Sequence, residues 1–112
     1  MLAIRNTTKI KPRTDFEVIK NAILGKRYDL SLVLCADTMM RRLSTEHKGN
    51  TKHTNVLSFP ISESEGEIFV NLRQANILHL FIHACLHLKG FSHGAEMEAL
   101  ESNLMKKFSV DN

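Results

Sequence analysis

Twelve consecutive positions, "ILHLFIHACLHL" (77–88), are apolar apart from three histidines. A run of that length is too short to cross a bilayer, and as a helix it is apolar on nearly every face. It therefore has to be surrounded by the rest of the chain. The stretch from Gln74 to Leu88 reads as a central helix, ended by Gly90, and every other element must pack around it. In a chain of 112 residues with 43% hydrophobic content, the expectation is one folded domain over residues 1–112.

The remaining elements follow from local signals. "LAIRN" (2–6) reads as a short strand. "TDFEVIKNAILG" reads as a helix with Thr14 as N-cap, Glu17 at capping-box spacing and Gly25 as its end, and Phe16, Ile19, Ile23 and Leu24 form its apolar stripe. "DLSLVLCA" (29–36) is β-rich and stops at Asp37, which can cap a second helix, "TMMRRLSTEH". A polar stretch, "KGNTKHT" (48–54), follows. "NVLSF" and "EIFVNL" read as strands separated by a loop, "PISESEG". A last helix runs from Ala95 to Phe108 with Met97, Leu100, Leu104 and Phe108 inward. The order β-α-β-α-β-β-α-α predicts an α+β fold: a small mixed sheet of about four strands covered by helices, with a central metal-binding helix.

The metal enters through "HACLHLKGFSH" (83–93). Residues four apart share a helix face about one turn, roughly 6 Å, apart, so His83 and His87 can grip one ion from adjacent turns. A glycine at position 90 can take a left-handed conformation and turn the chain so that His93 swings back over that ion. Three imidazoles leave an open position on tetrahedral zinc, the arrangement of catalytic rather than structural sites. Nickel and cobalt suit the same ligands. His79, although on the same helical face, and His53 are expected to be hydrogen-bonded histidines of the core rather than ligands. The metzincin proteases share this spacing but carry a glutamate directly after the first histidine as general base. Here Ala84 stands there, which argues against peptide hydrolysis.

Composition sets milder bounds. A formal charge of +3 and a pI of about 9.0 permit a polyanionic partner without requiring one. Cys35 and Cys85 fit no C-x-x-C pattern and are flanked by apolar residues, as reduced core thiols are. The opening "MLAIRNTTKIKPR" holds no apolar stretch of signal-peptide length. A cytoplasmic protein with no membrane association is expected.

Three pieces in order resemble one known family. "HACLHLKGFSH" is similar to the H-G-x-L-H-L-x-G-Y-D-H hallmark of the YbeY endoribonucleases, "TNVLSFP" (54–60) to their T-D-V-L-S-F-P, and "GEI" (66–68) to their G-D-I strand. "DTMMRRLSTEHKGNTKHT" resembles the helix and loop before that second motif. The chain departs from the family pattern at Ala84 (for glycine), Phe91 (for tyrosine), Ser92 and Asn55 (each for aspartate) and Lys48 (for arginine). The resemblance implies a zinc-dependent, single-strand-specific endoribonuclease in ribosomal RNA maturation (16S 3′-end processing) and ribosome quality control, working as a monomer on the small ribosomal subunit. It makes His83, His87 and His93 the ligands of one zinc per chain. It also places Lys48 where the family's substrate-contacting arginine lies, as the catalytic residue facing phosphate, with Lys52 nearby and Ser58 and Phe59 beside the groove. Zinc lowers the pKa of its bound water to about 7, so a nucleophile is available without a glutamate; Glu67 and Ser92 are candidate general bases. Two alternatives stay open: a non-catalytic ribosome-assembly factor stabilised by its metal, which the departures at Asn55, Ser92 and Lys48 favour, and a metalloprotease-like hydrolase.

Overall fold

The computed structural model describes residues 1–48 and 55–109, without the side chains of residues 47 and 48. Its elements run β1 (Leu2–Asn6), α1 (Phe16–Leu24), β2 (Asp29–Cys35), α2 (Asp37–Lys48), β3 (Val56–Ser62), β4 (Glu65–Asn71), α3 (Ile77–Lys89) and α4 (Ala95–Phe108). The four strands form one sheet in the order β1-β2-β4-β3. β1, β2 and β4 are parallel, and β3 returns antiparallel to β4, so the α+β class with a mixed four-stranded sheet holds.

Because strand side chains alternate between faces, the core splits in two. Leu30, Leu32 and Leu34 of β2 and Ile68 and Val70 of β4 face α1, α3 and α4; Cys35, Leu57, Phe59 and Phe69 face Met39, Met40 and Leu43 of α2. Residues 32–35 of β2 are buried without interruption because helices cover both faces there. α3 lies at the centre, against α1, α4, β3 and β4, and buries Phe81, Ile82, Ala84, Cys85 and Leu86. Phe81 meets Phe16 of α1 edge to face at 4.9 Å.

Several boundaries differ from the sequence reading, each for a local reason. Asp15, not Thr14, caps α1: its Oδ1 accepts the Val18 N–H at 3.2 Å, which places Glu17 one position short of a capping box. Asp37 does not cap α2 from outside but is its first residue, and its Oδ1 accepts from Nδ2 of Asn71 at 2.7 Å. α2 continues to Lys48, so that residue ends a helix rather than opening a loop. β3 runs through Pro60 to Ser62 and leaves only residues 63 and 64 as the turn. A proline is tolerated because β3 is an edge strand, and the register shift between Pro60 and Ser62 marks a bulge at Ile61. α3 starts at Ile77 rather than Gln74.

Candidate metal centre

α3 carries His83 and His87 on adjacent turns, with ring centroids 4.5 Å apart. The helix closes at Gly90, whose φ of 113° is left-handed; the Gly90 N–H donates to the His87 carbonyl and the Phe91 N–H to the Leu86 carbonyl, both at 3.0 Å. That closure reverses the chain and brings the His93 ring to 5.0 Å from His83 and 4.8 Å from His87. One donor atom from each of the three lies within 4.8 Å of the other two. The structure thus assembles all three histidines singled out by their spacing into a group that could hold a metal ion.

The ring orientations fit a metal. Nδ1 of His83 donates to Oε1 of Glu101 at 2.6 Å, and Nδ1 of His87 to the Phe91 carbonyl at 3.1 Å. A carbonyl and a carboxylate only accept, so both ring protons belong on Nδ1. The two Nε2 atoms then face each other at 3.0 Å, on the side of each ring that is free to meet a metal ion. Zinc–nitrogen bonds of about 2.0–2.1 Å at tetrahedral angles separate two ligands by about 3.3 Å, close to this spacing. Burial, then the neighbouring His83, lowers the pKa of His87 below its ordinary 6.5 against the opposing pull of the Phe91 carbonyl. The ring is held in the neutral form a metal requires.

His79 stands outside the group, as expected, but it is not a core residue. Its side chain is 41% exposed, and its Nε2 donates to Oε2 of Glu101 at 2.7 Å. Glu101 is the residue that sequence reasoning missed. It sits four residues after Met97 and three before Leu104, on the inward face of α4, where a carboxylate among apolar neighbours was the available signal. Burial pushes its pKa up, but the hydrogen bonds from His79 and His83 outweigh that and hold the carboxyl below the usual range.

The histidines open into a cavity of about 630 Å³ between α3 and the edge strand, lined by residues 56–60 of β3 and by His83, Ala84, His87, Leu88 and His93. Ser58 and Phe59 are therefore beside the site. Glu67 and Ser92 are not among the residues that line it. The backbone of Lys48 ends α2, while its side chain, together with Lys52 and His53, lies outside the described residues.

An α+β sheet whose central helix and following turn converge three imidazoles on a groove defines the class of protein. The Endoribonuclease YbeY family matches this chain over residues 7–76, a span that ends just before α3, so the histidine cluster is separate support. The chain is 32% identical to the Endoribonuclease YbeY of Helicobacter pylori over 133 aligned positions, covering 98% of this chain and 93% of that one. It is 30% identical to the Endoribonuclease YbeY of Anaplasma phagocytophilum over 131 positions, covering 91% and 85%. The solution structure of TM1509 from Thermotoga maritima superposes with a TM-score of 0.62 at 21% identity, covering 96% of this chain and 89% of that one, a likeness of fold. This chain belongs to the YbeY family.

Proposed function

We propose that this chain is a metal-dependent endoribonuclease, a hydrolase that cleaves single-stranded RNA, with residues 1–112 acting as one catalytic domain. His83, His87 and His93 hold one zinc ion per chain, and nickel or cobalt suit the same imidazoles. The observation that carries the reading is the pair of facing Nε2 atoms, 3.0 Å apart, opening with His93 onto the groove beside β3. Endoribonuclease is the name borne by the relatives above. In this reading the substrate is ribosomal RNA on the small subunit, with 16S 3′-end processing and ribosome quality control as the setting, in the cytoplasm and as a monomer. The reduced, buried Cys35 and Cys85 and the charge of +3 are compatible with that place and that polyanion.

A divalent ion at such a site supplies a Lewis acid and an acidified water. The chain's own residues do the rest. His83 and His87, held through their Nδ1 atoms, turn Nε2 toward the ion, the β3 edge walls the groove along which an extended strand can lie, and Lys48 supplies a point charge for phosphate.

One observation favours the second reading, a ribosome-assembly factor without catalysis. The lining of the cavity contains no carboxylate among the described residues, and both oxygens of Glu101 are committed to histidines. Incubating the purified protein with single-stranded ribosomal RNA, with and without chelator, decides between them. Cleavage that chelator abolishes, zinc restores and His87→Ala lacks supports the nuclease. Cleavage indifferent to chelator overturns it. Tight binding to small subunits with no cleavage selects the assembly factor.

A further inference from the structure

We propose that Glu101 is a positioning residue of the metal centre: by holding Nδ1 of His83 with one oxygen and Nε2 of His79 with the other, it sets which nitrogen of His83 meets the ion and docks α4 onto the site. The inference rests on the metal reading above and extends it to a residue outside the histidine motif.

The geometry carries it. Glu101 is 13% exposed in its side chain, 18 residues beyond His83 in sequence, and reaches it only because α4 packs along α3. Its two contacts, 2.6 Å and 2.7 Å, use both carboxylate oxygens. A carboxylate with one partner can rotate about its last bond. One with two imidazole donors, a helical turn apart on α3, cannot turn without breaking a charge-assisted hydrogen bond. His79 thus keeps Glu101 behind His83 instead of leaving it free to swing toward the ion. The charge behind the ring also strengthens His83 as a donor, in the manner of the carboxylate–histidine pairs that commonly support metal ligands. His87 has only a backbone carbonyl in the equivalent place, so the two ligands on α3 are held differently: one by its own helix end, the other by a separate helix.

The test uses the full chain and two readouts. Zinc affinity, measured by competition with a chromophoric chelator, should fall about 10–100-fold in Glu101→Ala, and less in Glu101→Gln, which keeps one acceptor oxygen but no charge. In metal-free protein, nitrogen-15 spectra of the imidazoles should place the His83 proton on Nδ1 in the parent and shift it toward Nε2 in Glu101→Ala. A merely structural contact would lower thermal stability in both variants without moving that proton. Should Glu101→Ala fail to fold, Glu101→Gln carries both measurements. Variants that bind zinc within about twofold of the parent, or a His83 proton unchanged on Nδ1, overturn the role of Glu101 while leaving the metal centre standing. A parent that takes up no zinc overturns the metal centre, and the inference with it.

Discussion

Nε2 of His83 and Nε2 of His87 point at one another across 3.0 Å, while Nδ1 of each ring is already committed, to Glu101 and to the Phe91 carbonyl. Two ring nitrogens held at that distance, with the other nitrogen of each ring already engaged, are placed to share one metal ion. Single alanine substitutions at His83, His87 and His93 should therefore each abolish stoichiometric zinc. They should also reduce the melting temperature of the loaded protein to that of chelator-treated parent, because binding energy is folding energy here. Elemental analysis beside thermal unfolding reads both. Full occupancy in His93→Ala would refute a three-histidine site.

His79 should be dispensable for stoichiometry. Its Nε2 is turned to Glu101, 2.7 Å away, and its ring centroid lies 6.1 Å from that of His83. His79→Ala is expected to retain one zinc per chain by elemental analysis. A loss as complete as that of His83→Ala would make it a fourth ligand and the centre a closed, structural one.

Lys48, at the end of α2, is expected to act on RNA as a point charge. Lys48→Ala should weaken RNA binding by a similar factor for unrelated sequences and flatten the plot of log K against log salt by roughly one unit, the signature of one lost phosphate contact. Lys48→Arg, which restores a bidentate fork, should raise cleavage above the parent. A salt titration that Lys48→Ala leaves unchanged would reduce the residue to a solvated charge.

The hydroxyl of Tyr28 is buried with no hydrogen-bond partner among the described residues, and a Cβ added at Gly66 would collide with it and meet Leu88 Cδ1 at 3.0 Å. Tyr28→Phe removes an unsatisfied polar group, so stability at neutral pH should hold or rise by about 1 kcal/mol. Gly66→Ala should cost about 1–3 kcal/mol, part of which Tyr28→Phe recovers. Burial, with Cys85 and Glu65 adding to it, raises the Tyr28 pKa above its ordinary 10.0. The folded state then favours the protonated phenol. Its contribution is intact below pH 10 and is lost as pH rises through the elevated pKa. Denaturant unfolding from neutral to alkaline pH should show a decline above about pH 10 that is shallower in Tyr28→Phe. An identical alkaline limb in both proteins would refute this assignment.

Much of the site was legible because its geometry is local. The separation of His83 from His87 is one helical turn, and Gly90 can adopt φ 113° without a Cβ penalty, so a helix, a stop and a returning His93 follow from backbone preferences over eleven positions, 83–93. The burial of α3 likewise followed from a run that is apolar on nearly every face. Where reading went astray locally, two chemically similar options competed: Thr14 and Asp15 can both cap a helix, and the choice depends on where the chain enters α1.

What the chain's order of residues determined by itself was therefore the elements, the central helix and the three imidazoles on it and just beyond its end. Tertiary structure alone decided the strand order β1-β2-β4-β3, which makes β3 an edge that accepts Pro60 and walls the cavity. It alone decided that Asp37 would turn to Asn71, 34 residues away, and that Glu101 would reach across from α4 to His83 and His79. The physical reason is one of range. Helix turns and glycine conformations are set by neighbours a few bonds away, whereas a carboxylate on one helix finds an imidazole on another only after the apolar faces of both have been buried against the same sheet.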